Sequence, residues 1–182
     1  MNKLIIDNNQ FKGLVAKICR DISASNWRPD YIVGLTRGGL LPAVMISHYF
    51  DVRCETLKVS LRDGVECESN LWMAEDAFGY VSDPKAILKF DTHLAKNILI
   101  VDDINDSGAT INWIMDDWRS GCLPNNNQWD HVFNNNVKFA VIVDNLASEC
   151  KVKMDFTGME VNKAENDVWI EFPYEEWWTK NA

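Results

Sequence analysis

Long apolar runs are missing from this chain. No stretch nears the roughly 20 residues of a membrane-spanning helix. The opening Leu4-Ile5-Ile6 is broken at once by Asp7, which is too short for the apolar core of a secretory signal. Histidine is scarce: His48, His93 and His131 lie far apart. The five cysteines (Cys19, Cys54, Cys67, Cys122 and Cys150) are odd in number and form no C-x-x-C pair. That spacing excludes a disulfide framework and a zinc site built by protein side chains alone, and it predicts a reduced, cytoplasmic protein. Basic residues are in deficit, with Lys+Arg 18 against Asp+Glu 27 and a net charge of −9. Broad nucleic-acid binding needs cations to neutralise phosphates, so it is excluded as a function class. A small anion held by backbone N–H groups is not. No internal repeat is present.

What is there is ordinary globular material. The 182 residues are 47% hydrophobic, 25% charged and 11% aromatic, enough for one domain, 1–182, with a core of its own. Phe11, Leu14, Val15, Ile18 and Ile22 recur at helical spacing and predict a helix over 8–24. Strands are predicted at 31–35, 56–59, 98–101 and 139–143. Helices are predicted at 40–50 and around Ile111, Ile114, Met115 and Trp118. Short, wholly apolar strands alternating with helices imply an α/β fold: a Rossmann-like parallel sheet with helices on both faces. In such sheets ligands sit beyond the carboxyl ends of the strands. Residues 62–97 are rich in acids and carry Gly64, Gly79 and Pro84 as breakers. They read as a surface excursion with a short helix near 71–78, and 62–92 as a lid. The Asn-rich stretch 124–136 reads as a loop, because Asn favours turns.

The strongest chemical signal runs from Ile98 to Thr110. A buried strand ends in Asp102-Asp103; Asp106 follows, and Ser107-Gly108-Ala109-Thr110 opens a helix. Consecutive N–H groups at a helix start make an anion site. Carboxylates repel a phosphate at contact range and are better suited to sugar hydroxyls, so the pairing suggests a sugar phosphate. The competing reading is a strand-end turn with Asp106 or Ser107 as helix cap. A second signal is Leu35-Thr36-Arg37-Gly38-Gly39-Leu40, where a strand ends in a glycine turn bearing a guanidinium suited to phosphate oxygens. A third is the aromatic segment Val168-Trp169-Ile170-Glu171-Phe172-Pro173-Tyr174.

The 98–110 string resembles the ligand motif of the type I phosphoribosyltransferases: two acids after a hydrophobic strand, then Asp-Thr-Gly-x-Thr, with Ser107 here in place of the first Thr. The Arg37 turn resembles the diphosphate loop of that family, which often contains a cis peptide. The 168–174 segment is similar to the purine wall of its bacterial xanthine-guanine branch. The resemblance implies a core over about 26–160 and a small hood formed by 161–182 with amino-terminal residues. It implies transfer of the 5-phosphoribosyl group from phosphoribosyl diphosphate to a nucleobase, with a 6-oxopurine preferred. Asp102 and Asp103 would hold the ribose hydroxyls, with or without Mg²⁺, and 107–110 the 5′-phosphate. Arg37, Gly38 and Gly39 would hold diphosphate, and Asp106 would take a proton. Asp144, Asn145, Val168, Trp169 and Ile170 would meet the base. Members for 6-oxopurines carry a Lys after the fourth core strand, where this chain has Asp144-Asn145. A non-catalytic ligand sensor and a transferase for a non-purine acceptor are the rival expectations. A homodimer or homotetramer, with no nucleic-acid or membrane partner, completes the picture.

Overall fold

A computed structural model describes residues 2–61, 66–68, 70–79, 93–122 and 125–179. The elements run β1 (Asn2–Ile5), α1 (Asn8–Ala24), β2 (Tyr31–Thr36), α2 (Leu40–Phe50), β3 (Arg53–Ser60), β4 (Glu66–Cys67), α3 (Leu71–Phe78), β5 (Ile98–Asn105), α4 (Ala109–Gly121), α5 (Gln128–Asn135), β6 (Val137–Asn145), β7 (Phe156–Val161) and β8 (Val168–Glu171). The main sheet has the order β4-β3-β2-β5-β6-β7, and β1 pairs with β8 in a second, two-stranded sheet. Strands β3, β2, β5, β6 and β7 are mutually parallel; β4 is an antiparallel edge.

Alternation along the strands supplies two cores. Tyr31, Val33 and Leu35 of β2 join Ile98 and Ile100 of β5 beneath α3, α4 and α5. Ile32, Leu99 and Val101 face the other way, onto α1 and α2. Both faces are therefore covered, as the wholly apolar strands require. Helix α1 begins where expected because Asp7 caps it: its Oδ1 accepts from the backbones of Asn9 and Gln10, both at 2.8 Å. No helix among the described residues is long and apolar enough to cross a membrane.

Two expectations are corrected. The segment 124–136 is not all loop: α5 occupies Gln128–Asn135 and buries Trp129, Val132 and Phe133. Those residues repeat at helical spacing, and Trp129 lies 5.1 Å from Phe78 and 5.6 Å from Phe133, ring centre to ring centre. Tertiary burial outweighs the turn preference of Asn. The excursion after β3 is not merely superficial either. Helix α3 falls at Leu71–Phe78, and it buries Met73, Ala74, Ala77 and Phe78 in the core. Asp76 on its far side accepts from the Tyr31 hydroxyl at 3.2 Å and pairs with Lys96 at 2.9 Å. The lid expected over 62–92 lies largely outside the described residues.

Candidate active site

The carboxyl ends of β2, β3 and β5 open into a cleft of about 1040 Å³, closed on one side by the segment that follows β8. Strand β5 delivers Asp102 and Asp103 at its end, half-buried, and then Asp106. All of Ser107, Gly108, Ala109 and Thr110 line the cleft. Helix α4 is capped at Gly108, which has φ +84° and no side-chain cap bond. Asp106 is therefore not a helix cap. Gly108 is required twice over: its φ is left-handed, and a Cβ there would run into the backbone of Cys150. Ser107 Oγ accepts from the first N–H of α4, that of Ala109, at 3.3 Å; the other N–H groups of the first turn have no partner within the helix and face the cleft.

The turn after β2 closes on this wall from the other side. The Thr36–Arg37 peptide is cis. Gly38 packs so tightly on Asp103 that a Cβ at 38 would overlap its carboxylate. Thr36, Arg37 and Gly38 line the cleft. Gly39 does not, and its N–H donates to the Leu35 carbonyl at 2.9 Å, which starts α2 instead of meeting a ligand.

The hood brings further groups. Trp169 projects into the cleft and is 42% exposed, whereas Val168 points into the core. Ile170 reaches the cleft wall from the same strand. Tyr174 donates its hydroxyl to Asp103 Oδ2 at 2.8 Å. Burial, together with the nearby Asp103 carboxylate, pushes the Tyr174 phenol far above its ordinary range, so it remains a donor.

Asp144 and Asn145 are placed differently from expectation. Both are buried and neither lines the cleft. Asn105 Nδ2 donates to Asp144 Oδ1 at 2.8 Å and to Ser148 Oγ at 2.9 Å. Asn145 Nδ2 donates to the carbonyl of Asp106 at 2.8 Å, while its Oδ1 accepts from the N–H of Lys163 at 3.0 Å. The amide of Asn145 thus ties the loop after β5 to the connection after β7. Lys163 is the residue that sequence reasoning missed. It lines the cleft and its ammonium pairs with Asp106 Oδ1 at 2.8 Å.

A family model, the phosphoribosyl transferase domain, matches residues 2–176. The chain belongs to that family. Over 105 residues it is 35% identical to a xanthine-guanine phosphoribosyltransferase of Cereibacter sphaeroides, a match covering 52% of this chain and 57% of that protein. The chain is thus matched over little more than half the length of that curated relative. Its fold is similar to a purine phosphoribosyltransferase from Pyrococcus horikoshii, with a TM-score of 0.63, 22% identity and coverage of 97% and 96% of the two chains. It is also similar to a xanthine-guanine-hypoxanthine phosphoribosyltransferase of Helicobacter pylori, with a TM-score of 0.65, 17% identity and coverage of 98% and 97%. Those two likenesses show the fold.

Within this phosphoribosyl transferase domain, a lysine, Lys163, reaches the cleft from beyond β7 and not from beyond β6.

Proposed function

We propose that this chain transfers the 5-phosphoribosyl group of phosphoribosyl diphosphate to a 6-oxopurine, such as guanine, xanthine or hypoxanthine, and releases diphosphate. The observation that carries the reading is the meeting in one cleft of the Arg37–Gly38 turn, the Asp102–Asp103 pair and the open first turn of α4. The turn of α4 suits the 5′-phosphate. The two carboxylates accept from the ribose hydroxyls, and Arg37 donates to the diphosphate.

The base stacks on Trp169, against Ile170. Lys163 has three donors and no acceptor. It favours a ring carbonyl over an exocyclic amino group, which supports an oxopurine. In the reaction the base nitrogen bonds to C1 as the C1–O bond to diphosphate breaks, and that electron pair leaves with diphosphate. The proton on the nitrogen passes to Asp106.

Asp102 and Asp103 fit a hard cation such as Mg²⁺, since both are oxygen donors at one strand end. Bound there, directly or through water, it supplies positive charge against the departing diphosphate. Exposed Leu41, Val44 and Tyr49 on α2 support assembly into a homodimer or homotetramer.

Radiolabelled phosphoribosyl diphosphate, incubated with hypoxanthine, guanine, xanthine, adenine, uracil and orotate, tests the reading. Label appears in a purine 5′-nucleotide with an oxopurine. Label in a pyrimidine nucleotide overturns the acceptor assignment. Binding without turnover on any base makes the chain a sensor.

A further inference from the structure

Tyr174 lies beyond β8, yet its hydroxyl reaches the end of β5. Its oxygen lies 2.8 Å from Asp103 Oδ2 and 3.4 Å from the carbonyl of Gly38. A phenol has one hydrogen to give, and the shorter contact to a carboxylate takes it. The ring itself is locked by aromatic neighbours. It stacks on Phe172 at 5.5 Å and meets Phe11 of α1 edge-on at 5.9 Å. Three parts of the molecule converge here: the hood, the amino-terminal helix and the acidic pair.

The placement has a physical reason. Asp102, Asp103, Asp106, Glu175 and Glu176 all border a cleft that takes an anionic ligand on the reading above. A carboxylate in that company swings toward whichever donor is nearest unless something holds it. The Oδ2 of Asp103 is the atom that a Cβ at Gly38 would strike first. The same Oδ2 accepts from the Tyr174 hydroxyl, so the hood and the Gly38 turn hold one carboxylate between them. Neither constraint comes from β5 itself.

We propose that Tyr174 is a positioning residue that couples the base-binding hood to the ribose end of the cleft. Its hydroxyl fixes Asp103, and through the Asp103–Gly38 contact it fixes the turn that carries Arg37. The strand that brings Trp169 to the base is followed directly by the residue that orients the ribose carboxylate. Docking of a base on the hood and docking of phosphoribosyl diphosphate then support one another, and the coupling is reciprocal. This rests on the proposed transferase reading.

The test is a double-mutant cycle of Tyr174→Phe and Asp103→Asn. Phosphoribosyl diphosphate binding is measured by calorimetry with Mg²⁺ present, alongside steady-state kinetics and melting curves. Phenylalanine keeps the ring contacts with Phe11 and Phe172 and removes only the donor. Tyr174→Phe is expected to weaken binding and raise the KM for phosphoribosyl diphosphate about tenfold, with kcat at saturation within about threefold. Asp103→Asn weakens binding further, and the double variant is no worse than Asp103→Asn alone. Binding by Tyr174→Phe within about twofold of wild type overturns the inference, as does a double variant whose loss is the product of the two single losses. Should Tyr174→Phe fold poorly, Asp103→Ala, which leaves the hydroxyl no side-chain acceptor at 103, still decides. The free protein then shows whether the Phe172–Tyr174 segment loses amide-exchange protection, and unchanged protection overturns the coupling. A wild-type protein that binds no phosphoribosyl diphosphate removes the transferase reading itself, a result distinct from normal wild-type binding with an unaffected Tyr174→Phe.

Discussion

Lys163 Nζ lies 2.8 Å from Asp106 Oδ1, and the backbones of both residues hydrogen-bond to the one side chain of Asn145. The pair is set by geometry before any base arrives. A 6-oxopurine can insert and satisfy both partners: the ammonium finds an acceptor in the ring carbonyl, and the carboxylate a donor in the imidazole-ring N–H. Lys163→Met keeps most of the side-chain length and removes the donor. Hydrogen bonds to charged groups contribute about 1.5–3 kcal/mol, so the KM for hypoxanthine should rise about ten- to hundredfold. Discrimination against adenine should narrow at the same time. Steady-state kinetics with both bases checks this, and an unchanged hypoxanthine KM refutes the role.

Asp106→Asn separates chemistry from binding. The side chain keeps its size, and α4 does not use it as a cap. Removing a general base typically costs on the order of 10²–10⁴ in rate, or about 3–5 kcal/mol. Turnover should fall by that much, with phosphoribosyl diphosphate affinity within about threefold of wild type. Full turnover in the variant would leave the proton acceptor to another group.

Gly108→Ala tests the turn that opens α4 through stability. The residue holds φ +84°, and Cys150 leaves no room for a Cβ. Strain of this kind costs about 1–3 kcal/mol, and the steric overlap adds to it. The melting temperature should drop by at least about 4 °C for a chain of this length. Calorimetry that finds no drop would mean that the 148–151 segment gives way freely.

Burial pushes the Cys19 and Cys122 thiols up to about 11, from an ordinary value of 9.0. The unfolded chain gives up these protons near pH 9, whereas the folded chain keeps them until about pH 11. Above pH 9 the folded state therefore binds more protons, and stability falls as pH rises from about 9 to 11. Below pH 9 both states hold the protons and these thiols contribute no slope. Urea midpoints measured from pH 7 to 11 should be flat at first and then decline. The decline should be shallower in the Cys19→Ala, Cys122→Ala double variant. An identical slope there would assign the alkaline loss to other groups.

Local pattern carried much of this architecture. The apolar spacing of α1, the glycine turn before α2 and the acid-tipped β5 are each written within a few consecutive residues, so reading along the chain recovers them. Helix α5 is masked in the sequence by the Asn runs 125–127 and 134–136 that bound it, while the burial of Trp129 and Phe133 depends on partners in α3 and on β6, which no local window contains. Lys163 was hidden for a related reason. It carries no motif, and its place in the cleft follows from β7 lying next to β6 in the sheet. Had β7 been recognised, the rule that ligands gather beyond strand carboxyl ends would have pointed to Asn162 and Lys163. The family resemblance puts Asp144 and Asn145 at the base; the sheet buries them instead, and their carboxylate and amide hold other loops in place.

The parallel pairing of β1 with β8, which sets Asn2 against Val168 and Ile5 against Glu171, imposes a timetable on biosynthesis. β1 leaves the ribosome long before its partner β8, and every strand of the main sheet is made between them. By then the strands and helices around Arg37, Asp102 and Gly108 have long been available to dock on one another, because domains consolidate as they leave the tunnel. The indole of Trp169 arrives afterwards, on a strand that closes the longest-range strand pairing among the described residues and so forms slowly. A nascent chain halted before that point has the Arg37, Asp102 and Gly108 side of its cleft without Trp169.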